Sequence, residues 1–500
     1  MVKCSLLYKN PETADGFGAA ELLGDMSIDR AARRFCADSR HSERMIEVLS
    51  SPLSDPENVV YRQDILTDLL ENPSLASELG RLFSRYDRIS ADWVSLRAEH
   101  RASPGDGSVS ASARLERIFA SLRATAVFPR TILSFVGALA SALDSFPPRS
   151  EGLLALRTCC RGLLDGGRLE KIGEIASRFS DGEAADYDYE FILSLSPDLA
   201  AEGARLTAVN RRENKKSGLF GLFAKASSAP SDTDESNGID YCSDALCAAL
   251  ADIDAALSSL IGDIYELFHG LSTELTFFEA ALSYVAFVRA AGIEPVFPKI
   301  LPAEEETLHL KTVRDLHLLC EGMNSSAVVG NDADIAKGTA GVLIRGDNNT
   351  GKTVFLRSVG TAQIFAQAGL PVLAESAEIS IRGAVRSHFS AAEEEFTRAE
   401  NGAAVDTAGR FEGEVRKVAQ IIDSLKPHSL LLLNETFQTT AYAEGAEGMR
   451  EILAFLPSVG CSFIFVTHLG AMFDPVADDP LKELSVSRLR TSEGYRLLPF

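Results

Sequence analysis

The sequence lacks the paired cysteines that mark a metal site or a disulfide framework. Its eight cysteines are scattered over 500 residues, and none of them shows the short paired spacing of metal ligands. We therefore expect reduced and mostly buried thiols, which are usual in a cytoplasmic protein.

Long apolar runs are missing as well. No stretch of 18 uninterrupted apolar residues occurs, and charged residues make up 24% of the chain, which argues against several membrane spans. The first residues, MVKCSLLYKNPETADG, contain no apolar core of a signal peptide. We expect a cytoplasmic protein that has no membrane partner.

Positive charge is scarce. The chain has 49 Lys and Arg residues against 71 Asp and Glu residues, and its formal net charge is −22. This balance argues against a globally basic nucleic-acid binder but leaves a local basic surface open.

The first 300 residues have the pattern of successive helices. Apolar residues recur every three to four positions in segments such as Ser74–Arg97 and Ala111–Ala126, prolines such as Pro129 punctuate the region, and strand-like runs are scarce. Because 500 residues exceed one ordinary core, we predict a multidomain chain with an all-α first part.

One stretch of this part, residues 210–240, has no sustained period and is rich in Ser, Asp, Asn, Gly and Pro. We expect an exposed loop that joins two long helices. Its basic first half, which also holds Leu219, Phe220, Leu222 and Phe223, either contacts a polyanion or partner or is a solvated linker with a small apolar anchor.

From about residue 325 the pattern changes. GVLIRGDNNTGKT, HSLLLLNET and CSFIFVTH each place a short β-rich run beside a polar turn, and helical segments at 354–368 and 410–424 lie between them. This alternation predicts an α/β domain with a mainly parallel sheet and helices on its faces.

Residues 346–353 match the phosphate-binding loop pattern G-x-x-x-x-G-K-[ST] completely. Glycines let the backbone turn its N–H groups toward phosphate oxygens, Lys352 supplies a positive charge, and the Thr353 hydroxyl is a ligand for Mg²⁺. The helix that follows directs its positive end at the same anion. We predict that ATP or GTP binds here, against the alternative of an accidental Gly-rich turn, through Gly346, Asp347, Asn348, Asn349, Thr350, Gly351, Lys352, Thr353 and Val354.

A second buried run, Leu430–Leu433, ends in Asn434 and Glu435. Phosphate-loop enzymes use an acid at the first of these positions to hold Mg²⁺, whereas the Asn434 amide offers only a neutral oxygen. We predict that Asn434 joins Thr353 at the metal and that Glu435 orients or deprotonates the attacking water. The alternative is a polar strand end without a catalytic role.

A third run, Ser462–Val466, is followed by Thr467 and His468. A histidine at the carboxyl end of a core strand can sense the γ-phosphate through a hydrogen bond. We predict this catalytic role for His468, and a purely structural histidine is the alternative.

In this order the motifs resemble those of the MutS family of DNA mismatch-repair ATPases, whose nucleotide fold is of the ABC type. Residues 346–353 are similar to its G-P-N-M-G-G-K-[ST] loop, residues 434–445 to D-E-x-x-x-G-T-S-T-x-D-G, and residues 466–468 to A-T-H. Residues 409–414 are similar to its S-T-F-x-x-E signature, and residues 51–64 to the opening of its helical lever domain.

The resemblance implies an organisation and a set of ligands. It implies an N-terminal segment at 1–44, a helical core or lever domain at 45–300 with the exposed loop 210–240, and a P-loop ATPase domain at 301–500. It also implies ATP and Mg²⁺ as cofactors and a homodimer through the ATPase domains. We expect no mismatch-reading domain, because residues 1–44 leave no room for one.

Three departures from the family pattern concern the mechanism. Gly409 replaces the serine that reaches the γ-phosphate of the partner subunit, and Asn434 replaces the usual Asp. Val328 and Val329 occupy the place where an aromatic residue often stacks on adenine. Gly409 and Asn434 predict weaker turnover, whereas Val328 and Val329 predict that stacking on the base comes from another part of the chain.

The resemblance therefore implies a DNA-dependent ATPase, in which nucleotide-driven closure of a dimer is coupled to binding of duplex or structured DNA in repair or recombination. The alternative is a nucleotide-gated binding or scaffold protein with little hydrolysis that acts on a protein partner. Glu435 discriminates between them, since its replacement stops turnover only in an enzyme.

Overall fold

The chain forms two compact units, each built from separate stretches of sequence. The computed structural model describes residues 4–11, 15–100, 110–177, 187–197, 201–211, 233–390, 407–437, 442–474 and 479–500. The helical unit comprises Met1–Cys4, Ser74–Pro148 and Leu153–Ser272. The sheet unit comprises Ser5–Pro73, Arg149–Gly152 and Thr273–Phe500. These units do not follow the segments 1–44, 45–300 and 301–500, which stay predictions about domains.

The elements are numbered in chain order over the described residues. The helices are α1 Ala20–Asp25, α2 Ile28–Phe35, α3 Ser39–Leu49, α4 Pro56–Glu71, α5 Pro73–His100, α6 Ala111–Ser145, α7 Glu151–Asp165, α8 Arg168–Ser177, α9 Thr233–Ala290, α10 Leu316–Cys320, α11 Lys352–Ala368, α12 Thr407–Asp423 and α13 Tyr442–Phe455. The strands are β1 Tyr187–Leu195, β2 Ala201–Arg211, β3 Lys299–Leu301, β4 Leu308–Val313, β5 Asn331–Ile335, β6 Gly341–Arg345, β7 Ser376–Ser380, β8 Val385–Phe389, β9 Ser429–Asn434, β10 Cys461–Thr467, β11 Val486–Thr491 and β12 Leu497–Pro499.

The helical unit is held by aromatic packing among its long helices. The ring of Phe135 on α6 lies 5.0 Å from Tyr86 on α5 and 5.3 Å from Phe268 on α9, measured between ring centroids. Helix α6 runs through Pro129 without ending. The sequence predicts a break at this proline. That prediction is wrong, because packing along the whole helix outweighs the loss of the one backbone hydrogen bond that proline removes.

A β-hairpin in this unit corrects the all-α prediction. Strands β1 and β2 pair antiparallel, and the ring of Tyr187 lies 5.6 Å from that of Phe119. Alternating apolar residues, such as Tyr187, Tyr189 and Phe191, favour a strand. Residues 210 and 211 belong to β2 and residues 233–240 to α9, so the exposed loop of the prediction follows a strand, not a helix. Its remaining residues, 212–232, lie outside the described residues.

Two helices are long and apolar enough to cross a membrane by length and composition alone. They span Ala113–Ser145 and Tyr241–Ala290, each with a window of mean hydropathy 1.6, and 56% and 33% of the two windows are buried within the protein. Core helices of soluble proteins satisfy the same criterion. The absence of a membrane partner therefore stays a prediction.

The main sheet of the sheet unit has the strand order β12-β11-β6-β10-β9-β8. Strands β11, β6, β10, β9 and β8 run parallel, and β12 pairs antiparallel with β11. This arrangement confirms the predicted α/β fold with a mainly parallel sheet. A second sheet, β3-β7-β4-β5, was not predicted, because its strands have only three to six residues.

Helices cover both faces of the main sheet. On one face, Leu431, Phe463 and Phe465 form a buried core with Val418 of α12 and Met449 of α13. On the other face lies α11, almost all of which is buried. A side chain at Gly360 of α11 would lie 2.9 Å from Leu432, which shows how closely this helix approaches β9. The phosphate-loop helix is thus fixed by packing.

All eight cysteines have free thiols, and they are not uniformly buried. Cys159, Cys160, Cys247 and Cys461 are buried, whereas the other four are half-buried. The expectation of reduced thiols agrees with these positions, and burial raises the pKa of Cys461 to about 12.

Candidate functional site

The predicted site residues converge at one edge of the main sheet. Strands β6, β10 and β9 are direct neighbours, and Ile344, Val466 and Asn434 lie side by side in the register. Because parallel strands end at the same edge, the loop after β6, the turn after β9 and the turn after β10 meet there. The carboxyl edge is the usual place for a ligand in such a sheet.

The phosphate loop wraps around the side chain of Lys352. The Lys352 Nζ donates to the carbonyl oxygens of Gly346 and Asp347, at 2.7 Å each. Asn349 and Gly351 have φ angles of 62° and 88°, which give the loop its tight turn. Helix α11 begins at Lys352, so its free N–H groups face the same space.

Glu435 connects this loop with His468. The Lys352 Nζ lies 3.2 Å from one carboxylate oxygen of Glu435, and the His468 Nδ1 contacts the other. Glu435 itself has a φ of 56°, a left-handed conformation that residues other than glycine seldom adopt. Its backbone N–H donates to the carbonyl oxygen of Val466 at 3.0 Å, so β10 helps to hold the turn.

The two residues predicted for the metal lie together. The Thr353 hydroxyl donates to the Asn434 Oδ1 at 3.1 Å. Hydroxyl and amide oxygens are hard ligands that fit Mg²⁺, which keeps most of its shell as water and substrate phosphates. Within the described residues, no group of three or more His, Cys, Asp or Glu side chains could hold a metal ion by itself.

A cavity of about 420 Å³ opens beside these residues. This volume lies in the range of small-molecule sites. Of the residues predicted to bind nucleotide, Asn348–Val354 line the cavity, whereas Gly346 and Asp347 contribute only the carbonyl oxygens that hold Lys352. Glu435 lines the cavity, and His468 reaches it only through its contact with Glu435.

Sequence reasoning missed the other wall of the cavity. Tyr495 lines it, and a side chain at Gly351 would lie 3.3 Å from the tyrosine ring. Asn331 fixes this wall, since its Nδ2 donates to the Tyr495 carbonyl oxygen at 3.0 Å and its Oδ1 accepts from the Leu497 N–H at 2.9 Å. Tyr495 lies between the two short strands β11 and β12, and no motif or residue spacing in the sequence identifies it as a site residue.

Apolar residues complete this wall. They are Val313, Leu318, Met323, Ala327 and Val329. Val329 thus faces the cavity at a position where the resemblance placed an aromatic ring, and Tyr495 supplies a ring from a distant part of the chain.

Helix α10 is tied to the phosphate-loop helix. Asp315, just before α10, accepts from the Leu318 N–H at 2.8 Å and from the Arg357 Nε at 3.1 Å. This pair therefore connects the apolar wall with the phosphate end of the cavity. Gly409 lies in the first turn of α12, and Thr439 and Thr440 lie outside the described residues.

Comparisons with known proteins agree with the motifs. The MutS domain V family matches residues 342–490. The DNA mismatch repair protein MutS of Thermosynechococcus vestitus is 26% identical over 84% of this chain and 48% of its own length. MutS of Chloroflexus aurantiacus is 31% identical over 38% of this chain and 18% of its own length. MutS protein homolog 4 of Homo sapiens is 26% identical over 42% of this chain and 21% of its own length. The chain thus spans less than half the length of these relatives.

Proposed function

Since the chain belongs to the MutS family, as its motifs predicted, we propose that it binds and hydrolyses ATP and couples this cycle to DNA. The convergence of Lys352, Thr353, Asn434, Glu435 and His468 at one sheet edge carries the proposal. Family members whose names denote mismatch repair support the assignment to DNA metabolism.

Nucleotide phosphates take the place of the partners that Lys352 now has. The loop N–H groups and the N-terminus of α11 face the phosphates, and the Lys352 ammonium leaves the Gly346 and Asp347 carbonyl oxygens to contact them. Tyr495 and the apolar wall hold the base, with adenine preferred by family resemblance alone.

Glu435 is the base of the proposed reaction. Its carboxylate orients a water molecule and accepts its proton while the water oxygen attacks the γ-phosphorus and the bond to ADP breaks. Thr353 and Asn434 would hold Mg²⁺, which would neutralise developing charge on the phosphates. His468, in contact with Glu435, fixes the orientation of that carboxylate.

The wider cycle follows the family. We propose a cytoplasmic homodimer that closes through its sheet units when ATP binds, and helical units that act as levers around duplex or structured DNA. A closed state must gain about 5.5 kcal/mol from ATP to move from 1% to 99% of the population. Arg205 on the exposed hairpin offers a local positive charge in an otherwise acidic chain.

Steady-state ATP hydrolysis with Mg²⁺, with and without duplex and branched DNA, tests this function. We expect turnover that rises with DNA and that Glu435→Ala abolishes while ATP still binds. DNA affinity should fall steeply with salt, because phosphate contacts release counterions. Clear ATP binding without turnover would contradict the enzyme.

One observation favours the alternative of a nucleotide-gated scaffold. Asn434 brings no negative charge to the metal, so Mg²⁺ is held more weakly than by a carboxylate. In that case ATP binding alone changes the affinity for a protein partner, and Glu435→Ala has no turnover to remove.

A further inference from the structure

The turn that carries Glu435 is strained. Glu435 and Phe437 have φ angles of 56° and 65°, so two of three consecutive residues adopt left-handed conformations that side chains disfavour. Such a conformation costs free energy in a residue with a side chain and persists only where the surroundings enforce it. Something must therefore hold this turn in place.

The residue between them provides such a hold. Thr436 is fully buried, and its Oγ1 lies 2.9 Å from the Nδ1 of His388 on the neighbouring strand β8. His388 is also buried, and burial lowers the pKa of its ring below the ordinary value, so the ring is neutral at physiological pH. A neutral ring nitrogen and a hydroxyl can pair in either direction, one donating and the other accepting.

Strand β8 also fixes the backbone on the other side of the turn. His388 and Phe389 pair with Leu433 and Asn434 in the parallel register. The Ser390 N–H donates to the Asn434 carbonyl oxygen at 3.1 Å, directly before Glu435. The turn is thus attached to β8 by one backbone bond before Glu435 and one side-chain bond after it.

We propose that His388 and Thr436 are positioning residues that hold the Glu435 turn so that its carboxylate faces Lys352 and the nucleotide. The proposal rests on the proposed ATPase function. Neither residue lines the nucleotide cavity, so neither touches substrate. Their loss therefore changes the placement of Glu435 and leaves the contacts to ATP intact.

Two matched pairs of variants test this role. In the first pair, Thr436→Val keeps the volume of the wild-type threonine and removes only its hydroxyl group. In the second pair, Thr436→Ala differs from Thr436→Ser only in lacking the hydroxyl group. We expect Val and Ala to lower kcat about 100-fold, as a misplacement near 1 Å can do, without raising the Kd for a fluorescent ATP analogue. Thr436→Ser should restore most of kcat. In a Thr436→Val, His388→Leu double variant, kcat should fall no further than in either single variant, since both substitutions remove the same contact.

The controls separate this proposal from the function on which it rests. Wild type and Glu435→Gln are measured in parallel. If Thr436→Val does not fold, the comparison of Thr436→Ser with Thr436→Ala tests the role instead. If the wild type hydrolyses ATP, Glu435→Gln does not, and Thr436→Ala still does, the positioning role alone is overturned. A parallel loss of kcat and ATP affinity in Thr436→Ala overturns it as well, because a general structural defect would produce that loss. A wild type without turnover overturns both.

Discussion

The ammonium group of Lys352 lies 3.2 Å from a carboxylate oxygen of Glu435, and both side chains are almost completely buried. One ion pair therefore joins the residue proposed to bind phosphate to the residue proposed to act on water. Buried opposite charges stabilise each other strongly, so a phosphate that takes Lys352 must compete with Glu435.

This competition predicts that Glu435→Gln increases ATP affinity. The amide releases Lys352 and removes a negative charge beside the phosphates, so we expect the Kd for ATP to fall about tenfold while hydrolysis stops. Fluorescence titration with an ATP analogue measures the Kd. Glu294→Gln, at an exposed acid paired with Arg289, is the control and should change neither property. Unchanged affinity in Glu435→Gln would show that the ion pair does not oppose binding.

Asn434→Asp tests the metal end of the site. The Asn434 Oδ1 already accepts from the Thr353 hydroxyl at 3.1 Å, so an aspartate fits the same space and adds a negative charge. We expect the Mg²⁺ concentration for half-maximal hydrolysis to fall about tenfold, since charge count sets cation affinity. Mg²⁺ titrations of turnover provide the measurement, with Asn434→Ala as the oxygen-free control. Equal Mg²⁺ dependence in all three proteins would exclude Asn434 from the metal site.

Position 346 requires glycine because there is no space for a side chain, not because of its backbone φ angle. A Cβ at this position would lie 2.1 Å from the Thr491 Oγ1 and 2.8 Å from the Thr350 Oγ1. We expect Gly346→Ala to lower the free energy of unfolding by about 1–3 kcal/mol and to weaken ATP binding, because the phosphate loop must shift. Gly413→Ala on α12 has open space around its Cβ and should be neutral or slightly stabilising. Similar melting temperatures for the two variants would argue against this steric requirement.

The predictable part of the fold consists of elements with local patterns. The apolar runs before Asn434 and His468 lie within β9 and β10, and the predicted helix at 354–368 lies within α11. Each has a turn or loop of distinctive residues at its end, so both the element and its boundary could be predicted. Their convergence followed from the parallel order of the strands.

Other features depend on contacts between distant residues. Tyr495 reaches the cavity because Asn331, more than 160 positions earlier, bonds to its turn. His388 meets Thr436 because β8 is the neighbour of β9. Neither pairing leaves a periodic or spaced pattern in the sequence, so both were missed. The β1–β2 hairpin did have alternating residues, but it lies among long helical patterns that dominated the prediction.

Glu274 should reduce stability at neutral pH. Burial raises the pKa of its carboxyl group above the ordinary value, although the Leu6 N–H and the Ser5 hydroxyl donate to it at 2.5 and 2.8 Å. Between the unfolded pKa near 4.5 and the raised folded pKa, the folded protein binds more protons, so the free energy of unfolding falls as pH rises. We expect Glu274→Gln to be more stable than wild type by about 1 kcal/mol at pH 7 and equal to it near pH 4. Urea unfolding at both pH values measures this, with Glu266→Gln, an exposed position on the same helix, as the control. A Glu274→Gln protein less stable than wild type at pH 7 would show that the hydrogen bonds to the carboxylate outweigh the cost of burying its charge.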